Sequence, residues 1–561
     1  MPQFNEEQQK RRLEELRNKE AEDLARLLAE KYDLPYADLF QMTIDLDALQ
    51  TISENEARSA HAAAFQRVGK TLDIALTNPS LPATKALLES LKEHYSAELF
   101  LVSERSLSRA WERYKEVPEF KEAQRGVIDI SADRLAEFGN EIRTTEELER
   151  VVAPLIASGE TRRISTVMEA ILAGALALEA SDIHIEPQEA DARLRLRLDG
   201  VLQEMLSLPK PVFQLVLSRI KLISELKLNI RDEAQDGRFT VRAAKTDIEV
   251  RTSILPGPYG ESVVLRILHP KTIALTLEDL GLNEQVLQII NEQAARPNGM
   301  ILTTGPTGSG KTTTLYALLK LKRTPGIKII TIENPIEYHL EGITQTQVDR
   351  ARHYDFAGGL RAILRQDPDV IMVGEIRDLE TAQTALHAAL TGHIVFSTLH
   401  TNNAAGTIPR LIDLGVKPNI IAPALNVAMA QRLVRRLCPE CKKGRPATRG
   451  EITSIEKLFT TLSSSVIRPR KPYQLWDAGT CQTCNGTGYK GRVGIAEAFI
   501  INDEIERLII TQPTESDIRD ATVRQGMVTM EQDGVFKALI GITSVEELVR
   551  VLGVKLSVLS K

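Results

Sequence analysis

One stretch limits the fold of this chain more than any other. The apolar run Met300-Ile301-Leu302-Thr303 leads into Gly305-Pro306-Thr307-Gly308-Ser309-Gly310-Lys311-Thr312, and Thr313-Thr314-Leu315-Tyr316-Ala317-Leu318-Leu319 then reads as a helix. The central octet matches G-x-x-x-x-G-K-[ST], so the strand, loop and helix predict an α/β fold built around a phosphate-binding turn. Glycines let such a loop curl until its backbone N–H groups face inward toward an anion. The helix that follows presents its positive end to the same anion. Lys311 supplies a point charge for the β- and γ-phosphates, and the Thr312 hydroxyl is a ligand for Mg²⁺. Residues Gly305 to Thr313 are therefore the expected ATP contacts. A plain glycine-rich turn is the other reading, and the strand before it and the helix after it weigh against that.

Phosphoryl transfer needs charge neutralised on the transferring group and a water held in line. Two further apolar runs end in carboxylates. Ile327-Lys328-Ile329-Ile330-Thr331-Ile332 leads into Glu333-Asn334-Pro335-Ile336-Glu337, and Val370-Ile371-Met372-Val373 leads into Gly374-Glu375. In doubly wound sheets, ligands sit beyond the carboxyl ends of parallel strands. Glu375 is expected to close a Walker B strand and support Mg²⁺. Glu337 is expected to orient or deprotonate the attacking water, with Glu333 second. A third run, His393 to Thr398, ends at Leu399-His400-Thr401, which puts His400 where a γ-phosphate sensor would stand. Each acid taken alone also reads as a solvated loop carboxylate.

The 561 residues suggest about three or four domains. The composition, 43% hydrophobic and 26% charged, is that of a soluble globular protein. The segments read as a charged helical arm at 1–30, a small α/β docking domain at 31–115 and a linker at 116–149. An α+β unit at 150–270 follows, with a hairpin turn at Asp199-Gly200. The nucleotide domain spans 275–430, a cysteine element 431–495 and a helical tail 496–561. No apolar run is long enough to span a bilayer, and Met1 to Glu20 is charged rather than signal-like. A cytoplasmic protein is the expectation, with any membrane contact made through partners. The net charge of −6 and an aromatic share of 4% disfavour a nucleic-acid coat or motor.

The four cysteines form two pairs, Cys438-Pro439-Glu440-Cys441 and Cys481-Gln482-Thr483-Cys484. Each pair makes one metal knuckle, and two knuckles make a closed, structural Cys₄ zinc site. The long gap between the pairs requires a small intervening lobe. A redox pair is the alternative.

Taken in order, these blocks resemble the type II secretion and type IV pilus assembly ATPases. The matching segments are Gly305 to Thr312, Glu333 to Glu337, Leu360 to Asp378 and Thr391 to Thr401. The second of them departs from the family's aspartate box by carrying Asn334. The resemblance covers roughly residues 150 to 555. It implies a RecA-like core preceded by a PAS-like domain, in a homo-hexamer with nucleotide at the subunit seams. It also implies arginines that reach a neighbour's phosphates. Arg238 and Arg251 stand at family-like positions and Arg219 and Arg266 are further candidates, although each alone reads equally well as a surface salt bridge. The tetracysteine element implies extension or export rather than pilus retraction.

The stretch Leu24 to Leu39 resembles the N-terminal domain of the same ATPases, which docks onto a membrane-bound partner. Some members bind a cyclic dinucleotide there through an Arg-Leu-Gly motif. This chain has Arg12-Leu13-Glu14, so that ligand is not expected. The implied partners are an inner-membrane platform protein and an accessory docking protein. The function read from the sequence is an ATP-driven motor for pilin polymerisation or pseudopilus-driven secretion. The alternatives are a nucleic-acid-translocating motor and an ATP-binding scaffold without turnover.

Overall fold

The computed structural model describes residues 6–554 apart from 43, 50, 53, 69–70, 93–94, 116–126, 131–137, 139–141, 143, 158–163, 244–245, 270–273 and 464–465. Two units result, Met1–Ala123 and Gln124–Lys561.

In the first unit, β1 (Ala62–Val68), β2 (Thr71–Leu76) and β3 (Ser96–Leu101) form one sheet in that order. Alternating Leu72, Ile74 and Leu76 join Phe65 and Leu101 in its core. The helix Glu6–Tyr32 overlaps the expected arm, but its last turns bury Ala25 and Ala29 in that same core. Small alanines let the helix approach closely, so this end belongs to the domain. The side chains of Arg12, Leu13 and Glu14 lie outside the described ones.

The second unit opens with a seven-stranded sheet. Its strands are β4 (Val127–Ile130), β5 (Asp182–Pro187), β6 (Asp191–Leu198), β7 (Val201–Pro209), β8 (Gln235–Ala243), β9 (Thr246–Gly257) and β10 (Gly260–Ile267). They run in the order β4-β8-β9-β10-β5-β6-β7. Leu194 and Leu196 on β6 alternate with arginines, so one face is apolar and packs the helices Ile164–Ala177 and Lys210–Ile223. The other face carries a charged row. Arg238 lies opposite Arg251, Arg251 opposite Arg266, Arg266 opposite Asp182, and Asp182 opposite Arg197. Asp199 and Gly200 join β6 to β7 with φ of 48° and 84°, the left-handed pair a tight hairpin requires. The expected linker differs: Val127–Ile130 pairs with β8, and Phe138, Ile142 and Leu148 are buried in this unit's core. A charge-rich composition hid the few apolar positions that anchor it.

The larger sheet comprises β11 (Gly299–Thr304), β12 (Ile329–Glu333), β13 (Thr344–Gln347), β14 (Val370–Val373), β15 (Ile394–Leu399) and β16 (Leu425–Leu437). A two-stranded ribbon follows, β17 (Lys443–Pro446) with β18 (Gln474–Asp477), and then β19 (Tyr489–Ile500) returns to the sheet. The sheet order is β13-β12-β14-β15-β11-β16-β19, with parallel pairing except between β16 and β19. Every residue of β11, β12, β14 and β15 is buried, which accounts for their unbroken apolar runs. This is the α/β core expected from the phosphate loop, RecA-like as the family resemblance implies. Boundaries at 430 and 495 cut through β16 and β19. The cysteine element is an insertion between those two strands, and the core itself extends to Ile500.

The tail is helical as expected: Asp503–Ile510, Glu515–Gln525, Met530–Leu539 and Val545–Leu552. Thr514 and Thr529 each begin a helix with a capping box, closed by Asp517 and Gln532. No helix among the described residues is long and apolar enough to cross a membrane.

Candidate nucleotide cleft and cysteine centre

The phosphate loop leaves the carboxyl end of β11 and enters the helix Lys311–Lys322. Its shape is held from the neighbouring strand. Gln431 on β16 donates from Nε2 to the Ser309 carbonyl at 2.7 Å, and its Oε1 accepts from Thr314 Oγ1 at 2.8 Å. Gly305 and Gly310 have φ of 147° and 90°. A Cβ at Gly305 would lie 2.6 Å from the Gln431 carbonyl oxygen, and one at Gly310 2.9 Å from Gln431 Nε2. Both positions therefore need glycine for close approach as well as for conformation.

Lys311 folds back over the loop and donates to the carbonyls of Gly305 at 2.8 Å and Pro306 at 3.0 Å. Burial lowers its pKa to about 8, helped by the positive charge of Arg432 and opposed by Glu375. Glu375 follows β14 and is nearly buried. It pairs with Arg377 at 2.7 Å and lies 3.5 Å from His400 Nε2. Burial and the nearby Lys311 charge hold the His400 imidazole below its usual pKa. The loop carrying His400 is tied to β11: Thr401 N donates to Thr304 Oγ1 at 2.8 Å, and the two threonine hydroxyls are 2.7 Å apart.

Glu333 and Glu337 prove unlike each other. Glu333 is buried, and its oxygens accept from Tyr316 Oη at 2.6 Å, Thr331 Oγ1 at 2.7 Å and Gln345 Nε2 at 3.1 Å. Burial raises its pKa. So fully engaged a carboxylate braces the loop that follows it, and it borders the same cleft as Glu337. Glu337 stands in the cleft with Arg251 Nη1 2.5 Å from its Oε2. Arg251 also bonds the Ile336 carbonyl.

These groups line one cavity of about 590 Å³. Thr307, Gly308, Lys311, Thr312, Glu337, Glu375, Arg377 and His400 all border it, as do Asn334, Arg251, Arg266 and Arg492. A second cavity of about 400 Å³ shares Arg266, Leu268, Gly310, Thr313, Leu433 and Arg492 with the first. Its further walls combine a leucine slot, Leu275, Leu280 and Leu282, with the carboxylates Glu179, Asp199 and Asp279. The candidate arginines separate. Arg251 and Arg266 border the cleft of their own chain. Arg238 is exposed, in register with Arg251. Arg219 sits on the helix Lys210–Ile223, on the sheet's opposite, apolar face, which removes it from the cleft.

The four cysteines converge. Sγ separations are 3.7 Å for Cys438–Cys481, 3.7 Å for Cys441–Cys484 and 3.6 Å for Cys481–Cys484, and all four sulfurs lie within 4.8 Å of one another. A tetrahedral zinc with bonds of about 2.3 Å requires sulfurs about 3.8 Å apart, so the donor set fits. Gly479 and Gly488 are needed for this closure: a Cβ there would lie 2.0 Å from the Cys441 carbonyl oxygen and 2.5 Å from Ala478 Cβ, respectively.

A family model described as Type II/IV secretion system protein matches residues 158–550, which takes in the larger sheet, the cysteine insertion and every strand of the preceding sheet except β4. The chain belongs to that family. In this type II/IV secretion system protein an MshEN domain also matches residues 32–120. Similar curated proteins include the type IV pilus assembly ATPase PilB of Myxococcus xanthus, 35% identical over 94% of this chain and 91% of that one. The type II secretion system protein E of Aeromonas hydrophila is 44% identical over 74% of this chain and 81% of its own. Among solved structures, the pilus retraction motor PilT with bound ADP is 29% identical, covers 68% of this chain and 95% of that one, and has a TM-score of 0.46.

Sequence reading of this secretion-system protein missed Gln431, Tyr316, Arg492 and the leucine slot. Gln431 and Arg492 lie on paired strands that the cysteine insertion separates in sequence, and no local spacing marks them.

Proposed function

We propose that this protein is an ATP-hydrolysing motor of the type II secretion or type IV pilus assembly class, working as a homo-hexamer on pilin-like subunits. One observation carries the reading. Lys311, Glu337, Glu375 and His400, drawn from four separate strand ends, border a single cavity beside the phosphate loop. Family membership supports the ATPase and motor roles.

In this reading the loop amides and Lys311 bind the phosphates, while Thr312 and Glu375 hold Mg²⁺, which neutralises charge on the transferring group. Glu337, oriented by Arg251, positions the attacking water, and His400 reports on the γ-phosphate. Arg266 and Arg492 add positive charge along the cleft, and the exposed Arg238 is a candidate to reach a neighbouring subunit. Zinc, held by Cys438, Cys441, Cys481 and Cys484, is structural because four thiolates leave no open position. An inner-membrane platform protein and an accessory docking protein complete the machine, with the motor held at the membrane through them.

Phosphate release by the full-length protein tests the assignment. Lys311→Ala is expected to abolish turnover. Glu375→Gln is expected to lower it by roughly 100-fold while ATP still binds. Wild-type turnover in either variant would overturn the site.

A further inference from the structure

We propose that Asp199 is a positioning residue: it latches the β6–β7 turn onto the start of β19 and so sets Arg492 in the nucleotide cleft. This rests on the nucleotide reading above.

The contact joins residues far apart in the chain. Asp199 Oδ2 accepts from the Gly491 backbone N–H at 2.9 Å, across 292 positions. Gly491 immediately precedes Arg492, which borders both cavities. Arg492 lies opposite Arg435 on β16. Like charges in register repel, and Arg435 is already bound by Glu547 at 2.8 Å. Its strand neighbour therefore gives Arg492 no reason to face the nucleotide. The backbone must aim it, and Gly491, at φ 78°, is the bend on which that aim depends.

The other side of the latch is stiff. Arg197 donates to the Gly200 carbonyl at 3.3 Å, and its Nε meets Asp182 Oδ2 at 3.1 Å. The other oxygen of Asp182 takes Arg266 Nε at 3.1 Å. Arg266 also borders both cavities. A line of contacts thus runs from Arg266 through Asp182 and Arg197 to the turn, then through Asp199 to Gly491 and Arg492. It fixes two arginines of the cleft relative to each other, one from each sheet. A hairpin turn alone asks less of this position, since Asn or Gly makes the same left-handed bend. A side-chain oxygen that can accept is what the latch needs, and Gly lacks one.

That distinction supplies the test. A fluorescent ATP analogue is titrated against the full-length protein at fixed salt. Asp199→Gly keeps the turn and removes the acceptor, so binding is expected to weaken up to about tenfold, the scale of one lost hydrogen bond to a half-buried amide. Asp199→Asn keeps an acceptor and is expected to stay within about twofold of wild type. Arg492→Ala is expected to weaken binding to a similar degree as Asp199→Gly, and the double variant Asp199→Gly/Arg492→Ala no further. A multiplied loss in the double variant, or no loss in Asp199→Gly, overturns the proposal. If Asp199→Gly does not fold by circular dichroism, Asp199→Ser, whose hydroxyl is too short to reach Gly491, takes its place in the cycle. Lys311→Ala is measured alongside. Lost binding there, with multiplied effects at 199 and 492, refutes the latch alone. Retained binding there refutes the nucleotide site and the latch with it.

Discussion

Raising the pH should weaken ATP binding through Lys311 alone, and the size of the effect follows from its surroundings. In the free protein, burial lowers this lysine to about pKa 8 while it rests on the Gly305 and Pro306 carbonyls. Phosphate oxygens stabilise the ammonium form, so in the complex the pKa rises back toward or beyond the ordinary lysine value of about 10.4. Affinity is then full below pH 8 and falls as pH rises through it, because the free lysine must take up a proton to bind. Between about pH 7.5 and pH 9 the expected loss is about eightfold, slightly over 1 kcal/mol. Phosphate's own last ionisation, near pH 6, is complete over that range. His400, held below its ordinary pKa, stays neutral there. Titration of a fluorescent ATP analogue at each pH reads the affinity, and calorimetry in buffers of different ionisation enthalpy reads the proton uptake. Lys311→Arg, permanently charged, should bind with no such slope. Stability moves the other way: the unfolded chain holds more protons above pH 8, so this lysine makes the ligand-free fold more stable as pH rises from 8 toward its unfolded pKa. A flat affinity profile in the wild type, or the same slope in Lys311→Arg, would refute the reasoning.

Two other perturbations probe the supports of the site. Gln431→Leu leaves the Ser309 carbonyl without its donor and should weaken ATP binding about tenfold, while a thermal melt stays within a few degrees of wild type; undiminished affinity would show that the loop holds its shape unaided. Purified protein should contain one zinc per chain by elemental analysis, and Cys438→Ser with Cys481→Ser should release it and lower the melting temperature. That loss should extend to ATP affinity, because Cys438 N donates to the Gly488 carbonyl at 2.9 Å just before Gly491 and Arg492.

The sequence alone determined the features whose chemistry is local. A phosphate loop needs its glycines, lysine and threonine contiguous, so Gly305 to Thr312 declared both the strand–loop–helix unit and its ligand. Strands buried on both faces must be apolar throughout, and the runs at Ile329, Val370 and Ile394 were therefore visible, with Glu375 and His400 at their ends. Each metal knuckle likewise needs its two cysteines three apart.

Only the tertiary structure decided how distant segments share work. Glu333 and Glu337 look equivalent in sequence. The fold buries one against Tyr316 and Gln345 and gives the other Arg251. Four candidate arginines became two in the cleft, one exposed on the same row and one on the far face, because side-chain direction in a sheet depends on strand register. Gln431 and Arg492 carry no signature, and Asp199 shows only that of its turn, since a hydrogen bond or cavity wall formed across hundreds of residues constrains their position in space and leaves their neighbours in sequence free.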